Sequence, residues 1–157
     1  MRGSQFDEAA FFAAIRDSGA RALVIGRRAL VFLGLPVMTA DYDFWLHIDD
    51  MEIFNAALEP FDLHPSRTPE EARRKGRYVL CNDEHVDVLV ARAVPTIDGI
   101  NVAMEDVWSR RQSVVYSSSI EIAVPSIDDL ILTKKFSARP KDMQDIRLLE
   151  SLRKEDP

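Results

Sequence analysis

The chain is poor in cysteine and histidine, and it has no long apolar run. Its 157 residues include one cysteine, Cys81, and three scattered histidines. A lone cysteine forms no internal disulfide, and this set of Cys and His lacks the number and spacing of a zinc cluster. No window approaches the roughly 20 apolar residues of a membrane helix, and the opening MRGSQFDEAAFF carries acids where a signal peptide has a basic start. We therefore expect a cytoplasmic protein that makes no contact with a membrane.

The chain has the composition of an ordinary folded protein. Hydrophobic residues make up 46% and charged residues 29%, and the net charge is -6. A chain of this length suits one hydrophobic core, so we expect residues 1–157 to form a single domain. The negative charge argues against bulk electrostatic coating of nucleic acid but allows local basic patches. Two basic clusters are present, and the first is expected to be a solvated face: EEARRKGRY and LTKKFSARPKD.

Hydrophobic periodicity and glycine or proline breaks predict an α+β fold. The first half indicates strands over ALVIG and DYDFWLHI and helices over FDEAAFFAAIRDSG, RRALVFLG and DDMEIFNAALEPF. Residues 62–76 predict a loop with one short helix, and RYVLC with HVDVLVA predicts a hairpin. A short helix near MEDVWSRRQ, a hairpin over SVVYSSSIEIAV and the helices PSIDDLILTKKFSA and PKDMQDIRLLESLRK follow. The expected architecture is a small mixed β-sheet with flanking helices and a C-terminal helical tail.

Three aspartates lie in predicted strands, where carboxylates are unusual. Asp41 and Asp43 in TADYDFWL share one strand face, and Asp87 is flanked by valines in HVDVLVA. Isolated charges are strongly disfavoured in a protein interior. If the two strands are neighbours, the carboxylates converge, and a hard divalent cation such as Mg²⁺ relieves their repulsion. Such a centre grips nucleotide phosphates and activates an attacking hydroxyl.

A turn suited to phosphate binding precedes these acids. The predicted strand ALVIG runs directly into the predicted helix RRALVFLG, with Gly26 at the join. This arrangement leaves free backbone N–H groups at the positive helix end, and Arg27 and Arg28 can add charge-assisted contacts to phosphate. An ordinary connection between a strand and a helix is the alternative, because glycine followed by a helix is a weak signal on its own.

Together these features resemble the nucleotidyltransferase fold superfamily. VIGRRALVFLGLPVMTADYDFWL is similar to its signature: an apolar strand, a glycine-led turn into a helix, a second glycine, and a threonine two residues before a paired-acid strand. VPSIDDLILTKKFSARPKDMQDIRLLE is similar to the C-terminal part of the bacterial branch that includes abortive-infection and toxin–antitoxin nucleotidyltransferases. The likeness spans about residues 20–150.

The resemblance implies a role for each candidate residue. It assigns metal binding to Asp41, Asp43 and Asp87, and the last of these also helps to activate the attacking hydroxyl. It places the nucleotide phosphates at Gly26 and the following turn, with a further contact from Lys134. The remaining motif residues, Arg139 and Asp142, are expected to form a structural ion pair or hydrogen-bonded corner.

The expected activity is Mg²⁺-dependent transfer of a nucleoside monophosphate from a nucleoside triphosphate to a hydroxyl acceptor. The acceptor is expected to be an RNA or tRNA end or a protein. Two departures from the pattern, Arg27 where relatives carry a small residue and Val37 where many carry arginine, motivate an alternative. In that alternative the chain is a catalytically inactive binding or regulatory module, such as a toxin–antitoxin partner of a protein from a neighbouring gene. A third interpretation is nucleotidylation of an aminoglycoside or another small molecule.

Overall fold

The computed structural model describes residues 6–117, 119–137 and 139–155. Its helices are α1 (Glu8–Ser18), α2 (Gly26–Phe32), α3 (Met51–Leu58), α4 (Pro69–Lys75), α5 (Met104–Ser109), α6 (Ile127–Lys134) and α7 (Pro140–Glu155). Its strands are β1 (Ala22–Ile25), β2 (Tyr42–Leu46), β3 (His64–Pro65), β4 (Arg77–Cys81), β5 (His85–Leu89), β6 (Ala93–Pro95), β7 (Asn101–Ala103), β8 (Gln112–Ser117) and β9 (Ile120–Val124). Short 3₁₀ turns at Ile48–Asp50 and Glu59–Phe61 flank α3.

A mixed sheet forms the centre of the molecule, with the strand order β1-β2-β5-β4-β3. Strands β2 and β5 are parallel, and the other neighbours are antiparallel. The hairpins β6-β7 and β8-β9 form separate two-stranded sheets. This arrangement confirms the predicted α+β fold, with its small mixed sheet, flanking helices and helical C-terminal end.

The two faces of the central sheet have different roles. On one face Phe44 packs against Phe11 of α1 and Phe54 of α3, with ring centroids 6.0 and 5.4 Å apart. Burying such side chains contributes about 1.5–3 kcal/mol each, so this face anchors the sheet. On the other face Trp45 packs edge-on against Phe136 at 5.6 Å. Because strand residues alternate between faces, Asp43 shares the face of Trp45, opposite the main core.

Capping residues in the sequence fix the ends of the helices. Asp7 accepts a hydrogen bond from Ala10 N–H (3.0 Å) at the start of α1, and Gly19, in the left-handed conformation, caps its end after Ser18. Thr68 and Glu71 form a reciprocal capping box at α4. The boundaries of these helices therefore follow local side-chain chemistry.

The structure differs from the sequence prediction in detail. Helix α2 begins at Gly26 itself, and Asp41 lies one residue before β2 rather than within it. The predicted helix DDMEIFNAALEPF is a shorter α-helix between two 3₁₀ turns. Strands β3, β6 and β7 were not predicted, because two or three residues are too few to show an alternating pattern. Ser118, in the predicted turn of the last hairpin, lies outside the described residues.

No helix in the described part of the chain is both long and apolar enough to cross a membrane.

Candidate active site

The end of β1 places the backbone of Gly26 against the half-buried Asp43. Ile25 is the register partner of Asp43, and α2 starts at the next residue, Gly26. Gly26 has a φ of +69°, and a Cβ built on it would lie 2.4 Å from Asp43 Oδ2. Both the backbone conformation and the close approach therefore require glycine at this position.

Gly26→Ala should reduce stability by about 1–3 kcal/mol and also displace the Asp43 carboxylate. The matched control is Gly19→Ala, because Gly19 has a φ of +76° but nothing within 4 Å of an added Cβ. Denaturant unfolding should show a similar backbone cost in both variants, and only Gly26→Ala should lose the nucleotidyl transfer that the resemblance leads us to expect. Equal activity in the two variants would show that the contact with Asp43 has no functional consequence.

Two carboxylates face each other across the parallel strand pair. Asp43 of β2 and Asp87 of β5 are register partners on the same sheet face. Burial, followed by the negative charges of Asp87 and Asp41, raises the pKa of Asp43 to about 6, and a hydrogen bond with Asp87 adds to the effect. Lys134 acts in the opposite direction. The site therefore carries more negative charge than its neighbours neutralise.

The raised pKa of Asp43 predicts a pH dependence of stability. The folded protein holds this proton up to about pH 6, whereas the unfolded chain releases it near 3.8. The free energy of unfolding should therefore fall as pH rises through this interval, on the order of 1–3 kcal/mol from this group. Asp43→Asn should remove that loss and be more stable than the metal-free wild type at pH 7. Urea unfolding in chelator at several pH values measures the difference, and identical pH profiles would contradict the assignment.

A histidine lies beside the acid pair. His85 precedes Asp87 by two residues on β5, and its Nε2 is 3.2 Å from Asp87 Oδ2. About half of its side chain is exposed, at 51%. The two side chains are close because residues two apart on a strand share one face of the sheet.

A buried ion-pair cluster holds the nearest lysine. Lys134 Nζ lies 2.7 Å from Asp145 Oδ2, and both side chains are buried. Arg27 Nε donates to the same oxygen at 3.2 Å. Arg27 Nη2 is 3.2 Å from Asp145 Oδ1, but that oxygen accepts no hydrogen bond from the described residues because the approach is poorly aligned. Asp145 thus joins α2, α6 and α7 behind the acid pair.

Arg28 holds the segment that precedes β2. Its Nε and Nη2 donate to the carbonyls of Asp41 and Thr39, each at 3.3 Å, and its guanidinium stacks 4.1 Å from the Tyr42 ring centroid. Asp41 N–H donates to Thr39 Oγ1 at 3.1 Å, which explains the threonine two residues before the acid. Arg28 therefore contacts the Thr39–Asp41 segment, and its contact with a phosphate stays a prediction.

The last two helices meet at the predicted ion pair. Arg139 Nε and Nη2 donate to the two carboxylate oxygens of Asp142 at 2.9 and 3.1 Å, and Ser137 Oγ donates to one of them at 2.6 Å. Burial acts to raise the pKa of Asp142, but these hydrogen bonds outweigh it and keep that pKa below its usual value. The expected corner between the helices is confirmed.

A cavity of about 440 Å³ lies over the acid pair, between the sheet and the connection of α6 to α7. Four of the predicted site residues line this cavity: Gly26, Asp43, Asp87 and Lys134. The other three are placed outside its lining: Asp41, Arg27 and Arg28. The cavity adds Arg77, which the sequence placed in a solvated cluster, and Phe136. Only the position of β4 beside β5 brings Arg77 here.

The donor set of the site suits a hard cation. Asp43 and Asp87 offer adjacent carboxylate oxygens, and burial together with the charges of Asp87 and Asp41 raises the pKa of Asp43. Within residues 6–117, 119–137 and 139–155, no three Asp, Glu, His or Cys side chains are grouped closely enough for a ready-made metal site. Asp41, just before β2, is thus not grouped with the pair as a third ligand. The residues fit a divalent cation held by two carboxylates and completed by other oxygen ligands.

Residues 6–154 match the family described as nucleotidyltransferase of unknown function (DUF6036), and the chain belongs to that family. Its membership and its fold place it in the nucleotidyltransferase fold superfamily. No curated protein matches the chain at a significant level.

Solved structures share the fold at low sequence identity. The antibiotic-resistance factor ANT(2″)-Ia is 14% identical with a TM-score of 0.63, covering 92% of this chain and 81% of its own. The lincosamide antibiotic adenylyltransferase LnuA, solved with lincomycin, is 14% identical with a TM-score of 0.62, covering 94% and 99%. Protein TM1012 of Thermotoga maritima is 15% identical with a TM-score of 0.59, covering 94% and 88%. At such identities the likeness establishes a common fold.

Proposed function

We propose that the protein is a divalent-metal-dependent nucleotidyltransferase that moves a nucleoside monophosphate from a nucleoside triphosphate to a hydroxyl group. The observation that carries this proposal is the Asp43–Asp87 pair in parallel register beside the Gly26 turn. Membership of a nucleotidyltransferase family supports the same reaction class.

In this proposal the Asp43 and Asp87 carboxylates hold Mg²⁺. Asp41, in the segment before β2, adds its negative charge near Asp43. The bound ion supplies charge neutralisation for the triphosphate and lowers the barrier to loss of pyrophosphate. Asp87 accepts the proton of the acceptor hydroxyl, whose oxygen forms a bond to the α-phosphorus while the bond from that phosphorus to the pyrophosphate oxygen breaks. The N–H groups that begin α2 and the ammonium of Lys134 bind phosphate oxygens.

The placement of Arg27 favours the active protein over the inactive module. Arg27 is bulkier than the small residue that relatives carry at this position, and a side chain of that size could fill the nucleotide pocket. Its guanidinium contacts Asp145 on α7, and Arg27 does not line the cavity. The Arg27 side chain therefore does not fill the cavity that Gly26 lines.

The candidate acceptors are an RNA or tRNA end, a protein, or a small molecule. ANT(2″)-Ia has been solved with adenylyl-2″-tobramycin, so this fold accommodates an aminoglycoside product in that protein. Shared fold does not transfer an acceptor between proteins. The acceptor of this chain depends on the residues around its own cavity.

Incubation with each of the four α-³²P-labelled nucleoside triphosphates, Mg²⁺ and cell extract tests the proposal. We expect label from at least one nucleotide to enter a macromolecule or small molecule, and to be lost in chelator. Adding tobramycin and lincomycin as separate acceptors covers the antibiotic class. Absence of label from all four nucleotides in every fraction would favour the inactive module.

A further inference from the structure

One cation in the cavity has no role in the reaction proposed above. Arg77 is the first residue of β4, and it is exposed and lines the cavity. In the described part of the chain its guanidinium forms no ion pair, whereas two other cavity cations, Lys134 and Arg139, are each paired with an aspartate. A planar guanidinium without a carboxylate partner is suited to bidentate binding of an anion.

The strand order places Arg77 on one particular side of the acid pair. Ile25, Asp43, Asp87 and Val79 are consecutive register partners across β1, β2, β5 and β4. Gly26 follows the first of these residues, and Arg77 precedes the last by two. Strands are about 4.8 Å apart and two residues span about 6.6 Å, so the Cα atoms of Arg77 and Asp87 are about 8 Å apart. The long Arg77 side chain is therefore within reach of a molecule bound at Asp87, on the side away from Gly26.

We propose that Arg77 binds a phosphate group of the acceptor, next to the hydroxyl that receives the nucleotide. This inference rests on the proposed function, which assigns the Gly26 side to the triphosphate and Asp87 to the acceptor hydroxyl. A cation on the side of Asp87 that faces away from Gly26 therefore contacts the acceptor rather than the nucleotide. The predicted substrate class is a phosphate-bearing hydroxyl compound, either a polynucleotide or a small phosphate ester.

Besides the aspartates of the cavity, Arg77 has several basic residues near it in the sequence. Arg67 Nη1 donates to the backbone carbonyl of Arg77, so a second cation contacts the same residue. Arg74 and Lys75 of α4 are exposed just before β4, and among the described residues neither forms an ion pair. This local basic surface lies on a chain of net charge -6. It attracts a phosphate and repels a polycation such as an aminoglycoside.

The test is a binding measurement on the full chain with Arg77→Gln. The probes are a short fluorescein-labelled single-stranded RNA, glycerol 3-phosphate and tobramycin, with a nonhydrolysable nucleoside triphosphate analogue plus Mg²⁺ measured separately. The matched control is Arg74→Gln, since Arg74 is an exposed cation of the same segment that does not line the cavity. Thermal unfolding of both variants verifies that they fold.

We expect Arg77→Gln to weaken binding of a phosphate-bearing probe about tenfold, and Arg74→Gln to weaken it less than threefold. The affinity for the triphosphate analogue should not change in either variant. Binding of the RNA alone identifies a polynucleotide acceptor, and binding of both phosphate probes identifies phosphate esters in general. Weakened triphosphate binding with unchanged RNA and glycerol 3-phosphate binding would overturn the proposal, as would a preference for tobramycin or no binding of either phosphate probe. This binding test does not measure catalysis. If the protein binds phosphate through Arg77 but transfers no label in the nucleotide incubation, the proposed function is contradicted and the proposal for Arg77 is not.

Discussion

Asp43→Asn should lower nucleotidyl transfer at least about a thousandfold, because the amide carries no charge to hold a divalent cation beside the triphosphate. The measurement is transfer of label from the active α-³²P-nucleotide at pH 7.5. The same substitution removes a carboxylate whose ionised form is disfavoured, since burial and the charges of Asp87 and Asp41 raise the pKa of Asp43. The variant should therefore be at least as stable as the wild type, and its lost activity does not arise from unfolding.

The control for this substitution is Asp17→Asn. Asp17 is exposed near the end of α1 and pairs with the exposed Arg16. It changes the same chemical group far from the cavity, so transfer should stay within about twofold of wild type. Activity of Asp43→Asn within tenfold of wild type would contradict the role given to the acid pair.

Asp145→Ala should destabilise the protein by about 3–5 kcal/mol, because it leaves Lys134 buried without a counter-charge. Arg27 loses its partner too, but 22% of its side chain is exposed and it can turn to water. The measurement is urea unfolding at pH 7 with the slope fitted separately for each variant.

The double variant Lys134→Met with Asp145→Leu gives the matched comparison. Removing both charges and keeping the volume should restore most of the lost stability, since a buried ion pair and a hydrophobic replacement are often close in energy. Transfer should still be lost, because Lys134 lines the cavity. A loss below 1 kcal/mol in Asp145→Ala would show that this cluster does not hold α6 and α7 in place. No recovery in the double variant would contradict the assignment of the lost stability to the unpaired charge of Lys134.

The parts of the fold that the sequence predicts are those set by local chemistry. The hairpin of β4 and β5 follows from alternating residues around a polar turn, and the last two helices follow from their periodicity and Pro140. Gly26, Asp43 and Lys134 can be proposed as site residues from the sequence, because a glycine turn, a paired acid and a helical lysine occur in the order of the family signature. Strand β3, with two residues, has no period to detect.

The remaining site residues depend on tertiary neighbours. The pair of Arg139 and Asp142 is local, three residues apart, whereas only the packing of α7 against α6 and α2 places Asp145 beside Lys134. Arg77 looks like one of several surface cations until the sheet order places β4 next to β5. Arg28 resembles a phosphate ligand in sequence, but Glu8 and Tyr42 draw it to the other side of α2.

Binding of Mn²⁺ in the presence of a nonhydrolysable nucleoside triphosphate analogue tests the acid pair most directly. The bound fraction is measured from the loss of the electron paramagnetic resonance signal of free Mn²⁺. We predict tight uptake by the wild type and by Asp17→Asn at pH 7.5, and uptake weakened at least about tenfold in Asp43→Asn and in Asp87→Asn. Equal Mn²⁺ affinity in all four proteins would contradict the account, because the facing carboxylates would then have no part in holding metal or nucleotide.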